Sequence, residues 1–187
     1  MNKPAPPLYH PITPTYPLNR LLNTAIQAGI EVLRIYHTDF EVEFKKDSSP
    51  LTTADLMSNR IIMAGLKDTG LPILSEEKMI YDYEERIKWK EYWLVDPLDG
   101  TKEFVNKRDE FTVNIALVRD KKPVFGVIYA PVLKTLYFGG EKLGSYKLVL
   151  EEEIKITEKV LSKAQKLPLK HDRDPKILTV VGRRSHL

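Results

Sequence analysis

From Leu18 onward the apolar residues recur at helical spacing: Leu18, Leu21, Leu22, Ala25, Ile26, Gly29, Val32, Leu33 and Tyr36. That period predicts an amphipathic helix. A polar stretch, Lys45-Lys46-Asp47-Ser48-Ser49-Pro50, predicts a loop. Thr52 or Thr53 is placed to cap a second helix from about Ala54 to Lys67, with Gly70 just beyond its end. Leu71–Leu74 reads as a short strand delivering Ser75-Glu76-Glu77, and residues 82–91 as a short charged helix anchored by Ile87 and Trp89. Tyr92–Val95, Phe111–Val118 and Val124–Tyr129 read as strands, the last two joined by Asp120-Lys121-Lys122-Pro123. Thr135–Phe138 and Ser145–Leu150 continue an antiparallel meander through Gly139-Gly140. The lysine-rich stretch from about Lys155 to Lys170 reads as linker or helix, and Lys176–Gly182 as a further buried strand that opens a second α/β unit. The chain has no internal repeat.

Proline changes the picture at the N-terminus. Six of the 13 prolines fall within residues 1–17, which predicts an extended, mobile tail. Three parts follow: a Pro-rich tail (1–17), an α+β domain (18–172) and the start of an incomplete α/β domain (173–187). Of the 187 residues, 42% are hydrophobic and 29% charged, a globular composition. The net charge of +3 arises from 29 basic and 26 acidic residues, too balanced to predict nucleic-acid binding. With no cysteine, disulfides and thiolate-bound zinc are excluded. No stretch reaches the roughly 18 apolar residues of a membrane span, and no signal sequence is evident. The expected setting is the cytoplasm, with peripheral contact to the inner face of the cell membrane left open.

The candidate chemistry lies where predicted elements meet loops: Asp55, Glu76, Asp96 and Asp99. Asp96 and Asp99 end an apolar strand and are followed by Gly100-Thr101. Oxygen ligands held by a stiff turn suit Mg²⁺, and backbone N–H groups with a hydroxyl suit a phosphate and a water. Read alone, Asp96-Pro97-Leu98-Asp99-Gly100 is equally an ordinary Pro-containing turn. An EF-hand loop fails because its twelfth position is Lys107. A covalent-aspartate phosphatase fails because the nucleophile's position is Pro97, and no G-x-x-x-x-G-K-[ST] occurs. A water activated by a metal and attacking phosphorus directly survives these exclusions. The four histidines, His10, His37, His171 and His186, show no metal-ligand spacing.

Four ordered blocks, Ser49–Asp55, Leu74–Glu77, Trp93–Phe104 and Glu110–Val118, resemble the inositol monophosphatase superfamily. The form D-P-L-D-G-T-K-E-F is similar to its CysQ-type 3'(2'),5'-bisphosphate nucleotidases, and Arg184-Ser185-His186 resembles the start of their nucleotide-binding half. The resemblance implies a layered α/β fold with helices on a largely antiparallel sheet. It also implies Mg²⁺ held by Glu76, Asp96, Asp99 and the Leu98 carbonyl. Catalytic roles fall to Asp55, Glu76 and Thr101, with Asp55 holding a further ion or orienting the attacking water through Thr101. Substrate contacts fall to Glu76, Asp99, Gly100, Thr101 and His186. Glu77 is expected to be a solvated neighbour, while Lys102 and Glu103 either shape substrate choice or form a surface ion pair.

The implied reaction is lithium-sensitive removal of the 3'-phosphate from adenosine 3',5'-bisphosphate, giving AMP, with a role in sulfur assimilation and nucleotide recycling. The partner is a small nucleotide substrate, with a homodimer or monomer as the assembly. The alternatives are a sugar phosphatase of the inositol monophosphatase type and a catalytically incompetent fragment. Relatives continue into a W-D segment that supplies another metal ligand. No W-D follows Asp99 here, so a C-terminally truncated form is expected.

Overall fold

In the computed structural model, residues 11–13, 16–44, 50–77, 81–151 and 155–168 are described. The apolar stripe from Leu18 folds as predicted into helix α1 (Leu18–Tyr36), burying Leu18, Leu21, Leu22, Ala25, Ile26, Val32 and Tyr36 along one side. Helix α2 (Thr53–Leu66) takes Thr52, not Thr53, as its cap. The Thr52 hydroxyl accepts from Ala54 N at 3.1 Å, while the Asp55 carboxylate accepts from Thr52 N at 2.7 Å. This reciprocal box satisfies donors that a helix start otherwise leaves unpaired. A single 3₁₀ turn, Lys67–Thr69, closes on Gly70 in the left-handed region.

Among the described residues, seven strands form one sheet in the order β11-β10-β9-β8-β7-β6-β5. They are β5 (Ile73–Ser75), β6 (Glu91–Asp99), β7 (Thr112–Arg119), β8 (Lys122–Ala130), β9 (Thr135–Gly140), β10 (Gly144–Val149) and β11 (Gln165–Lys166). Only β5 and β6 run parallel, so the expected largely antiparallel sheet is observed. Helices α1 and α2 pack on one face, against β6, β7 and β8. Period-two alternation sends Trp93, Val95, Val113, Ile115 and Leu117 into that core. Leu94, Ile128 and Tyr137 emerge on the opposite face with substantial exposure.

Two short ribbons edge this layer: β1 (Pro11–Thr13) with β2 (Tyr16–Pro17), and β3 (Val42–Phe44) with β4 (Pro50–Thr52). The first corrects the expectation of a mobile tail reaching residue 17. Ile12 and Tyr16 are core residues, and the Tyr16 hydroxyl donates to the Gly65 carbonyl at 2.8 Å. The prolines permit extended pairing here, while two apolar side chains supply burial. Helix α3 is only Tyr83–Arg86. Ile87 is exposed and no anchor, whereas Trp89 packs its ring on Tyr81 and Tyr92. The lysine-rich stretch contains α5 (Glu158–Leu161), which buries Val160 and Leu161 before β11. The predicted Lys176–Gly182 strand, His186, the Lys45–Ser49 part of the predicted loop and the Pro-rich residues 1–10 lie outside the described residues. No helix among the described residues is long and apolar enough to cross a membrane.

Helix α1 crosses β8 so closely that a Cβ at Gly29 would lie 2.4 Å from Tyr129 Cδ1. Gly29→Ala is therefore expected to overpack the helix–sheet seam and destabilise the fold by about 1–3 kcal/mol. Urea unfolding of the two proteins measures this, and an unchanged midpoint would refute the close seam.

Candidate active site

Asp96 and Asp99 are three residues apart, and in a regular strand such residues point to opposite faces. The pairing with β7 shows why they do not: Asp96 lies opposite Asn114 and Asp99 opposite Thr112, with an irregularity between. Three steps on β6 thus match two on β7, which is a bulge with one extra residue. Pro97 and Leu98 are both buried, and the parity of the strand is reset. Asp96 and Asp99 emerge together on the face opposite the helices. Pro97 is tolerated because a bulge does not need every ladder donor.

The bulge is braced from the core side. Ser58 on α2, fully buried, donates its hydroxyl to the Pro97 carbonyl at 2.7 Å. At Gly100 the backbone turns with φ 95°, and a Cβ there would lie 2.7 Å from the Glu110 carbonyl oxygen. Only glycine combines that dihedral with that approach. Helix α4 (Thr101–Val105) starts immediately afterward, so the first N–H groups of a helix point from the turn.

Asp55 ties the turn to α2. One carboxylate oxygen accepts from both the backbone N and the hydroxyl of Thr52, each at 2.7 Å, and the other lies 3.1 Å from Thr101 Oγ1. Thr101 Oγ1 also lies 3.0 Å from the Leu98 carbonyl oxygen, so its one proton has two acceptors. Asp55 is buried, and burial pushes its carboxyl pKa up against the lowering effect of the Thr52 and Thr101 bonds.

Glu76 follows β5, which runs parallel beside β6, and its N–H donates to the Val95 carbonyl at 3.1 Å. This sets Glu76 beside Asp96. Ser75 Oγ, bonded to Asn59 Oδ1 at 2.8 Å, fixes the strand end to α2. A groove of about 620 Å³ runs along this face, lined by Glu76, Asp96 and Asn114 and continuing over Leu94, Ala116 and Gly126.

Electrostatics mark Asp96 as the strained member. Burial, then the nearby charges of Glu76 and Asp99, then a hydrogen bond with Glu76 push its pKa up to about 7. Its Oδ1 is buried with no hydrogen-bond partner among the described residues. No group of three or more acidic or histidine side chains among the described residues is gathered tightly enough to enclose a cation as it stands. The donors nevertheless fit a hard divalent ion. They are all oxygen, mutually repelling, and include one buried oxygen lacking a partner.

Of the sequence-predicted residues, Asp55, Glu76, Asp96, Leu98, Asp99, Gly100 and Thr101 surround this one strand end. His186 lies outside the described residues. Glu77 is half-buried and its N–H donates to Ser75 Oγ at 3.4 Å. Glu103 is only 2% exposed, whereas Lys102 is exposed. Sequence reasoning missed Ser58, Asn59, Thr112 and Asn114. The only available signal was a polar Asn114 inside the apolar run Val113–Val118.

Residues 17–180 match the Inositol monophosphatase family. Over 143 residues the chain is 43% identical to the 3'(2'),5'-bisphosphate nucleotidase CysQ of Haemophilus influenzae, covering 75% of this chain and 53% of that protein. The crystal structure of CysQ from Bacteroides thetaiotaomicron, a bacterial member of the inositol monophosphatase family, superposes with a TM-score of 0.70. The two are 45% identical, with 83% of this chain and 58% of that one covered. Extragenic suppressor protein suhB from Bartonella henselae gives a TM-score of 0.62 at 29% identity, over 70% of this chain and 51% of that one. The chain spans about half the length of the curated relatives it matches.

The raised Asp96 pKa has a consequence for stability without metal. The folded state keeps this proton up to about pH 7, whereas the carboxyl's ordinary value is 3.8. The contribution is complete below the unfolded pKa and is lost as pH rises through the folded one. In chelator, the wild type should therefore lose stability relative to Asp96→Asn between about pH 4 and about pH 7. Urea midpoints that run parallel across that window would contradict it.

Proposed function

Because the chain belongs to the inositol monophosphatase family, we propose that this strand end is the metal and phosphate site of a Mg²⁺-dependent phosphatase acting on adenosine 3',5'-bisphosphate. The observation that carries the proposal is the bulge that brings Asp96 and Asp99 to one face beside Glu76, with Asp96 Oδ1 buried and unpartnered. The nucleotide substrate is supported by identities of 43% and 45% to the two CysQ proteins.

Glu76, Asp96, Asp99 and the Leu98 carbonyl are the groups to hold Mg²⁺. A carbonyl has two lone pairs, so its contact with Thr101 leaves one for the ion. When bound, the cation supplies positive charge against the phosphate oxygens and lowers the pKa of water. The chain itself does the positioning. The N–H groups of Gly100 and Thr101 open α4 and suit the phosphate oxygens. Thr101, with its proton directed at Asp55 or Leu98, offers lone pairs that accept a hydrogen bond from the attacking water and orient it. Asp55, already bonded to Thr52 and Thr101, acts as this orienter and proton acceptor rather than as a ligand to a further ion. In the reaction the water oxygen bonds to phosphorus, the bond from phosphorus to O3' breaks, and O3' gains a proton, giving AMP and phosphate.

The test is Mg²⁺-dependent phosphate release from adenosine 3',5'-bisphosphate against inositol 1-phosphate. The nucleotide is expected to turn over faster, and Thr101→Ala to lower kcat by about 100-fold or more. Faster turnover of inositol 1-phosphate would overturn the substrate assignment. Mg²⁺ binding with no release from either would show that these 187 residues hold the site without the activity.

A further inference from the structure

We infer that Asn114 is a positioning residue for the cation, acting through Asp99, and that Thr112 in turn fixes Asn114. The inference rests on the metal site proposed above.

The register puts four polar residues on one face of the sheet where apolar or small ones otherwise alternate. Asn114 lies across the ladder from Asp96, and Thr112 across from Asp99. The Asn114 side chain does not stay with its ladder partner. Its Nδ2 donates to Asp99 Oδ2 at 3.2 Å, reaching past the bulge. The amide could in principle turn over and present its oxygen to the carboxylate. The carboxylate, which only accepts, disfavours that, and the Thr112 hydroxyl donates to Asn114 Oδ1 at 3.0 Å on the other side. A hydroxyl proton on one side and a carboxylate on the other leave a single favourable amide orientation.

The arrangement has a clear purpose if Asp99 holds a cation. Asp99 is exposed at the very end of β6. A neutral amide donor fixes one oxygen without adding charge and leaves the other to face the ion. Such outer contacts orient a ligand, and their loss typically costs about 10- to 100-fold in metal affinity.

The experiment is calorimetric titration of Mg²⁺ into wild type, Asn114→Ala and Thr112→Val, with thermal midpoints measured in chelator and in saturating Mg²⁺. The expected result is a Mg²⁺ dissociation constant raised about 10- to 100-fold in Asn114→Ala. Thr112→Val should show a smaller loss in the same direction. The rise in midpoint on adding Mg²⁺ should shrink in both variants, which a merely structural defect would not produce. Mg²⁺ affinity unchanged in a folded Asn114→Ala overturns the positioning role and leaves the metal site standing. Should that variant fail to fold, unchanged affinity in Thr112→Val overturns it equally. Absence of Mg²⁺ uptake by the wild type overturns the metal site itself, and the positioning role with it.

Discussion

One extra residue in β6 sets the geometry of the candidate site. Without it, the strand's period of two would bury Asp99 against the helices or turn Asp96 inward, and the two carboxylates would not share a face. The bulge absorbs Pro97 and Leu98 into the core and returns Asp99 to the outer face. Its position next to a cluster of carboxylates accords with the general role of bulges in re-aiming side chains near functional sites. The neighbouring parallel strand β5 then completes the site by ending level with Val95, which sets Glu76 at Asp96.

The bulge is rigid because unrelated parts of the fold hold it. Ser58 secures Pro97 from α2, the Glu110 carbonyl blocks any side chain at Gly100, and Thr101 bonds the Asp55 carboxylate. Behind Gly100, the loop that carries Glu110 is fixed by Tyr36, whose hydroxyl donates to Asp109 Oδ1 at 2.7 Å. Asp55 serves two purposes at once, capping α2 and fixing the hydroxyl that faces the turn. A helix start and a strand end thus share one carboxylate, so the geometry of the site is inherited from elements whose own stability demands it.

Much of this was legible in the residues alone. The stripe from Leu18 to Tyr36 and the alternation in Phe111–Val118 are strong periodic signals, and both elements lie where those signals place them. Of the seven candidate residues from Asp55 to Thr101, the acidic four could be named because they stand where predicted elements meet loops, Gly100 and Thr101 because they follow Asp99, and Leu98 only through the family resemblance. What could not be read was the parity change between Asp96 and Asp99, since it exists only relative to β7, some fifteen residues on. Asn114 was hidden for the same reason: its partner is set by register, not by spacing. Ile12 and Tyr16 were obscured by the prolines around them, whose density outweighed two apolar residues in any local reading.

The central claim is that the repulsion concentrated on Asp96 is relieved by a proton when metal is absent and by the cation when it is present. Calorimetric titration of Mg²⁺ at a pH just below about 7, in buffers of different ionisation enthalpy, tests this directly. The account predicts a heat that depends on the buffer, reporting proton release on binding, and loss of that dependence in Asp96→Asn. A wild-type binding heat identical in every buffer would contradict it.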